Sequence, residues 1–196
     1  MTFEGLDGSG KTTQVELLRE HLAASGRDVV ATREPGGTEF GEQVRELLLQ
    51  GGEISPWAEA ALFAAARAEL VARVIGPSLE RGADVICDRY LDSSLAYQGI
   101  ARGLGVDQVL SLNVNAIRGI LPDRTFLLLL GADEAAQRGG GASDRIEREG
   151  QNFQRAVQSA YEELAAIFPG RVVALDASRA PEEIAKEVQD QLPGIS

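Results

Sequence analysis

Short apolar runs alternate with longer amphipathic stretches along the whole chain. That rhythm predicts an α/β fold with a mainly parallel sheet, because each buried strand is followed by a helix that returns the chain. Strands are expected at 1–4, 28–32, 83–87, 124–130 and 171–175. Helices are expected at 11–25, 40–50, 57–81, 107–120, 133–138, 146–168 and 180–192. Gly26 and the pair Gly51-Gly52 end the first two helices. Pro77 should kink or interrupt the third, since it lacks the N–H that an inner helical position needs. Asp107 is expected to cap the fourth, and Pro181 suits the first turn of the last. Pro-Gly-Gly at 35–37 marks a loop, as does the glycine-bearing stretch 98–105. Three glycines at 139–141 predict a flexible segment.

The chain has 196 residues, enough for one domain with a core of its own. The expected fold is a three-layer α/β arrangement, with a parallel five-stranded sheet between helices and a single domain over 1–196. No run is long and apolar enough for a membrane helix, and Met1-Thr2-Phe3-Glu4 does not read as a signal peptide. A cytoplasmic protein is therefore expected. The net charge of −11 argues against a nucleic-acid or anionic-membrane partner, both of which need a positive surface. There is one Cys, Cys87, and one His, His21. Together they make neither a disulfide nor a Cys/His zinc site, and Cys87 reads as a small core residue.

One segment carries specific chemistry. Gly5-Leu6-Asp7-Gly8-Ser9-Gly10-Lys11-Thr12 matches the phosphate-loop pattern G-x-x-x-x-G-K-[ST], with a strand before it and a helix after it. Glycines let the backbone wrap until amide N–H groups meet phosphate oxygens, and the helix N-terminus adds its positive end. Lys11 would reach the β- and γ-phosphates, and Thr12 would offer its hydroxyl to Mg²⁺. The run Val85-Ile86-Cys87 ends in Asp88, the pattern of a second, carboxylate contribution to that metal.

A phosphate loop defines a nucleotide donor site, not a reaction. No Asn-Lys-x-Asp guanine signature is present, which lowers the GTPase branch. Arg33, Arg45, Arg67 and Arg89 lie near strand ends or on helices able to line one cleft, and Arg138, Arg145 and Arg148 flank the glycines at 139–141. This clustering asks for an anionic acceptor. A phosphate monoester acceptor has a second pKa of ~6, so it is largely dianionic at neutral pH and needs no histidine as base.

With these residues in place, the chain resembles bacterial thymidylate kinases from about Phe3 to Ala177. The resemblance rests on the phosphate loop with Thr13-Gln14, then Thr32-Arg33-Glu34-Pro35-Gly36-Gly37-Thr38 and Phe63-Ala64-Ala65-Ala66-Arg67. Asp88-Arg89-Tyr90-Leu91-Asp92-Ser93-Ser94-Leu95-Ala96-Tyr97-Gln98-Gly99 and Asp144-Arg145-Ile146-Glu147 complete it. It implies transfer from Mg·ATP to dTMP, in dTTP synthesis, by a homodimer.

The resemblance also implies roles. Phe63 would stack on thymine, Arg67 would hydrogen-bond the base, and Ser94 and Gln98 would meet the base edge. Tyr97 would crowd the sugar 2′ position. Arg89 and Arg45 would hold the dTMP phosphate, and Glu34 would order that region. Asp7 would stand between the two substrates. The loop residues from Gly5 to Thr13 would bind ATP, with Thr12 and (through water) Asp88 at Mg²⁺. Arg138 and Arg145 would belong to a lid at about 138–148 that supplies charge to the transferring group, consistent with Gly8 where some relatives carry a loop arginine. Lys11, Asp7, Arg89 and Arg145 carry the main catalytic expectation, with Arg138 beside them. A kinase of another nucleotide or nucleoside, or a nucleotide-binding switch, stays open from the residues alone.

Overall fold

Five strands form one parallel sheet in the order β2-β3-β1-β4-β5, buried in its inner strands and least covered at the edge strand β2. They are β1 (Thr2–Gly5), β2 (Val29–Arg33), β3 (Asp84–Asp88), β4 (Thr125–Leu129) and β5 (Val172–Asp176). This computed structural model describes residues 1–138 and 144–192. The glycines at 139–141, read above as a flexible segment, lie outside the described residues.

The helices are α1 (Lys11–Ala24), α2 (Glu39–Gln50), α3 (Pro56–Leu70), α4 (Gly76–Glu80), α5 (Leu91–Ser94), α6 (Val106–Ile117), α7 (Ala132–Arg138), α8 (Gln151–Ile167) and α9 (Pro181–Asp190). The sheet and most flanking helices share one apolar core, with Phe3, Ile86 and Phe126 fully buried in it, while Val44 and Leu48 of α2 meet Ala66 of α3 in a smaller cluster. Cys87 is in that core, as expected.

One expectation near Pro77 is met and three others are corrected. Helix 57–81 is interrupted, as expected, just before the proline: a π-helical turn, Val71–Ile75, separates α3 from α4. The N–H of Gly76 bonds the Val71 carbonyl, five residues back, so the wider register absorbs the proline before its missing donor matters. Residues 98–101 are not loop. They belong to a π-helix, Leu95–Ala101, whose first five residues are all buried. Burial there overrides the loop preference of Gly99, which packs against the Val106 backbone. The long helix 146–168 is divided, because Gly150 takes φ 87° between a short 3₁₀ turn and α8. Gly105, not Asp107, stands at the N-cap of α6, and Asp107 falls in its first turn.

Register fixes where chemistry collects. Phe3 of β1 pairs with Asp88, and Arg33 of β2 pairs with the same residue. Both strand exits therefore meet at the carboxyl edge of the sheet, where ligands of open α/β sheets bind.

Candidate active site

The turn from β1 into α1 is built for an anion. Gly5 has φ 138°, and a side chain there would meet the Leu128 carbonyl oxygen at 2.5 Å. Gly10, also left-handed, holds the N-cap position of α1 without any side-chain cap. By contrast, Thr38 and Ser55 cap α2 and α3 with their hydroxyls. The uncapped end of α1 leaves backbone N–H groups and the positive end of the helix for a ligand. The buried Ser9 hydroxyl also has no hydrogen-bond partner among the described residues.

A cavity of about 850 Å³ opens over this turn, lined by Gly8, Gly10, Lys11, Thr12, Thr13 and Asp88, among others. Lys11 folds over its own loop, donating to the carbonyls of Leu6 (2.7 Å) and Gly5 (3.2 Å). Burial pushes its ammonium down to about 8, reinforced by the nearby Arg89 charge. The Thr12 hydroxyl donates to Asp88 Oδ2 at 2.7 Å. Among the described residues no group of three His, Cys, Asp or Glu is placed to cage a metal. A hydroxyl and one carboxylate suit Mg²⁺, which keeps several waters and takes its remaining ligands from substrate phosphates.

A second recess adjoins the cavity. Asp7, Glu34, Arg45 and Arg89 line both spaces. Phe63, Ser94, Tyr97 and Gln98 line the recess alone. Arg89 stands at the junction. Its Nη2 donates to Asp7 Oδ1 at 2.6 Å, and its Nη1 to the Gly5 carbonyl at 2.9 Å. Burial would raise the Asp7 carboxyl, but Arg89 and Lys11 outweigh it and hold the group at about 2. Asp7 is therefore an anion at neutral pH. The Arg89 guanidinium also lies 5.5 Å above the Tyr97 ring, a cation–π distance. The Tyr97 hydroxyl is buried and unpartnered among the described residues. Arg45 donates from Nη1 to the Pro35 carbonyl at 2.9 Å.

Two expected site residues, Arg67 and Arg145, are placed differently. Arg67 does not line the recess. It is buried behind it, and its five N–H donors are engaged by Glu34, Ser94, Asn113 and the Tyr90 carbonyl. The expected base contact from Arg67 is thus not made in this arrangement; Arg67 instead holds Glu34 and Ser94 in the wall. Arg145 is not at the phosphate loop. Its Nη2 donates to Glu59 (2.6 Å) and its Nε to the Leu48 carbonyl (2.9 Å), and it lines neither the cavity nor the recess. Arg138 ends α7, bonded to the Ala177 carbonyl and Glu134.

Sequence reasoning missed a layer beneath Arg89. Glu4, fully buried, accepts from the Tyr90 N–H (2.8 Å), the Ser93 hydroxyl (2.5 Å) and the Tyr161 hydroxyl (3.0 Å). Ser93 and Tyr161 in turn accept from Arg89 Nη1. A charged residue inside an apolar strand was the one available signal for Glu4. Nothing in the sequence pointed to Tyr161, which sits on α8, or to Asn113 on α6.

The fold and the paired cavities define a phosphate-loop kinase of small phosphorylated acceptors. The thymidylate kinase family model matches residues 3–188. The chain is 52% identical to a thymidylate kinase of Pelotomaculum thermopropionicum over 185 residues, covering 92% of this chain and 86% of that one. It is 48% identical to a thymidylate kinase of Bifidobacterium longum, covering 100% and 98%. The crystal structure of thymidylate kinase from Ehrlichia chaffeensis superposes with a TM-score of 0.81 at 34% identity, covering 98% of this chain and 97% of that one. The chain belongs to the thymidylate kinase family.

Proposed function

We propose that the chain transfers the terminal phosphoryl group of ATP to dTMP, giving ADP and dTDP. The observation that carries this reading is the shared wall: Asp7 and Arg89 line both the phosphate-loop cavity and the recess. Two anionic substrates would meet there end to end.

The larger cavity takes ATP, with the loop from Gly5 to Thr13 around its phosphates. Thr12 and Asp88 would hold Mg²⁺, which neutralises charge on the donor phosphates when bound. The recess takes the nucleoside monophosphate. Phe63 supplies a flat apolar face for the base, and Ser94 and Gln98 its polar edge contacts. Tyr97 borders the sugar. Arg89 and Arg45 hold the acceptor phosphate, and the forked guanidinium of Arg89 suits two of its oxygens. Lys11 exchanges its loop carbonyls for the transferring phosphoryl group. Asp7 stays ionised and orients Arg89.

No side chain need act as base, since the acceptor phosphate with a second pKa of ~6 is already an anion. Alignment and charge neutralisation supply the catalysis. The chain is read as a single kinase domain over 1–196, with Arg138 in the expected lid at about 138–148, of which residues 139–143 lie outside the described residues. A homodimer is read from the family resemblance. Cytoplasmic location is consistent with the single buried Cys87 and with the absence of a membrane-length apolar helix among the described residues.

The test is ADP release from Mg·ATP with dTMP, dUMP, dCMP, dGMP and AMP supplied separately. Strong stimulation by dTMP and weak stimulation by dUMP is the expected result. Stimulation by a different nucleotide would keep the donor site and overturn the recess assignments. No stimulation by any acceptor would favour a nucleotide-binding switch.

A further inference from the structure

Beside the recess one buried carboxylate gathers three partners. Glu59, in the first turn of α3, is 1% exposed. Its Oε1 accepts from Gln98 Nε2 at 2.8 Å and from Arg102 Nε at 3.3 Å. Its Oε2 accepts from Arg145 at 2.6 Å and from Arg102 Nη2 at 3.2 Å. Arg102 is itself fixed by Glu149 (2.6 Å) and by the Phe153 ring, 4.4 Å beneath its guanidinium. Burial would raise the Glu59 carboxyl, but hydrogen bonds from Gln98, Arg102 and Arg145 outweigh it and lower it. An ionised carboxylate only accepts hydrogen bonds.

This settles which way the Gln98 amide faces. Its NH₂ end belongs to Glu59, so its carbonyl oxygen is the end left for the recess that Gln98 lines. Among the described residues nothing donates to that oxygen. Thymine and uracil carry a donor, N3–H, on their pairing edge, whereas cytosine carries an acceptor at N3. Two acceptors facing each other in a buried site leave both unpaired, which weakens binding.

We propose that Glu59 is a positioning residue: it locks the Gln98 amide with its carbonyl oxygen toward the recess, so that the site takes pyrimidines bearing N3–H and rejects cytosine. The proposal rests on the reading of the recess as the nucleotide acceptor site. Glu59 touches no substrate and acts through Gln98. In Glu59→Gln, the new side chain can offer its NH₂ to Gln98, and the Gln98 amide can turn over.

The experiment compares kcat and KM for dTMP and dCMP in the wild type, Glu59→Gln, Gln98→Leu and the double variant. Glu59→Gln should raise KM for dTMP roughly tenfold, move kcat far less, and narrow the dTMP-to-dCMP preference at least roughly tenfold. In the Gln98→Leu background it should change that preference little, because the residue it acts through is gone. A Glu59→Gln enzyme that loses kcat but keeps its preference would overturn the proposal, as would an undiminished effect in the double variant. If Glu59→Gln does not fold, the wild type decides the matter. Its Gln98 side-chain NH₂ signals, identified by their loss in Gln98→Leu, should exchange slowly with water before dTMP is added. Fast exchange would mean that Glu59 does not hold the amide. A wild type inert toward dTMP would defeat the functional reading instead, and leave the exchange rate to judge the amide.

Discussion

Arg89 reaches Asp7 across the junction of the two cavities, with 2.6 Å between Nη2 and Oδ1, from a backbone held at φ 67°. A left-handed residue other than glycine costs of order 1–2 kcal/mol and persists only when its surroundings impose it. Here the Arg89 N–H donates to the Phe3 carbonyl, and the Cys87 thiol donates to the Arg89 carbonyl (both 2.9 Å). Arg89→Ala should therefore lose far more activity than stability. A drop in kcat/KM for dTMP of roughly 10²-fold or more is expected, equivalent to about 2.7 kcal/mol. ATP affinity should fall much less, though not by zero, because Nη1 also braces the Gly5 carbonyl. Equal losses for the two substrates, measured by titration calorimetry, would contradict the assignment.

The buried pair Arg67–Glu34 belongs to stability as much as to the site. Both side chains are nearly inaccessible, and they meet at 2.5 Å. Removing one member leaves an unpaired buried charge, which typically costs 3–5 kcal/mol. Arg67→Met should lower the free energy of unfolding by that order, read from urea melts, and disturb dTMP binding through displaced Glu34 and Ser94. A destabilisation below about 1 kcal/mol would show that water reaches the pair and screens it.

How far these features can be read from the chain depends on the kind of residue. The sheet, the phosphate loop and Asp88 follow from local patterns, because strand periodicity and loop glycines act over a few residues. Glu59 is invisible by that route. It sits in an alanine-rich helix, and its meaning comes from Gln98, Arg102 and Arg145, between 39 and 86 positions away. Arg145 fails for the same reason: its position after the glycines at 139–141 suggests a lid, but its partner is set by packing. The π-helix at Leu95–Ala101 is likewise a tertiary effect, since Gly99 argues locally for a loop.

Phe63 offers a cleaner test of the recess. It packs only partly into the core and lines the recess. Phe63→Ala should weaken dTMP binding by about 1–1.4 kcal/mol, a five- to tenfold rise in KM. ATP binding should be unchanged. An unaltered KM for dTMP would place the base elsewhere.

Glu4 gives stability a pH dependence with a definite sign. Burial, with the negative charge of Asp92, raises its carboxyl from 4.5 to about 7, against the hydrogen bond from Ser93 and the charge of Arg89. The folded state then holds the proton more tightly than the unfolded chain. Below about 4.5 both states are protonated and the group contributes no difference. As pH rises from there toward 7, the unfolded chain releases the proton first, and stability falls by at most roughly 1.4 kcal/mol per pH unit. Glu4→Gln should remove this slope. Urea melts between pH 5 and 7.5 are the measurement, and an identical slope in the variant would assign the titration to another group.

The metal reading predicts a shared dependence on Thr12 and Asp88. Their side chains bond each other at 2.7 Å, so they converge on the same corner of the phosphate-loop cavity. The Thr12 hydroxyl is a direct ligand in this reading, and Asp88 acts through water. Asp88→Asn keeps the shape but removes the negative charge. It should raise the Mg²⁺ concentration for half-maximal ADP release at least roughly tenfold while leaving the saturated rate nearer the wild type. Thr12→Val should lower activity at every Mg²⁺ concentration, because a missing direct ligand is not recovered by mass action on a water-mediated contact. Removal of Mg²⁺ with a chelator should abolish transfer in all variants. If Asp88→Asn left the Mg²⁺ dependence unmoved and lowered only the plateau, Asp88 would serve to orient Thr12 rather than to hold the ion.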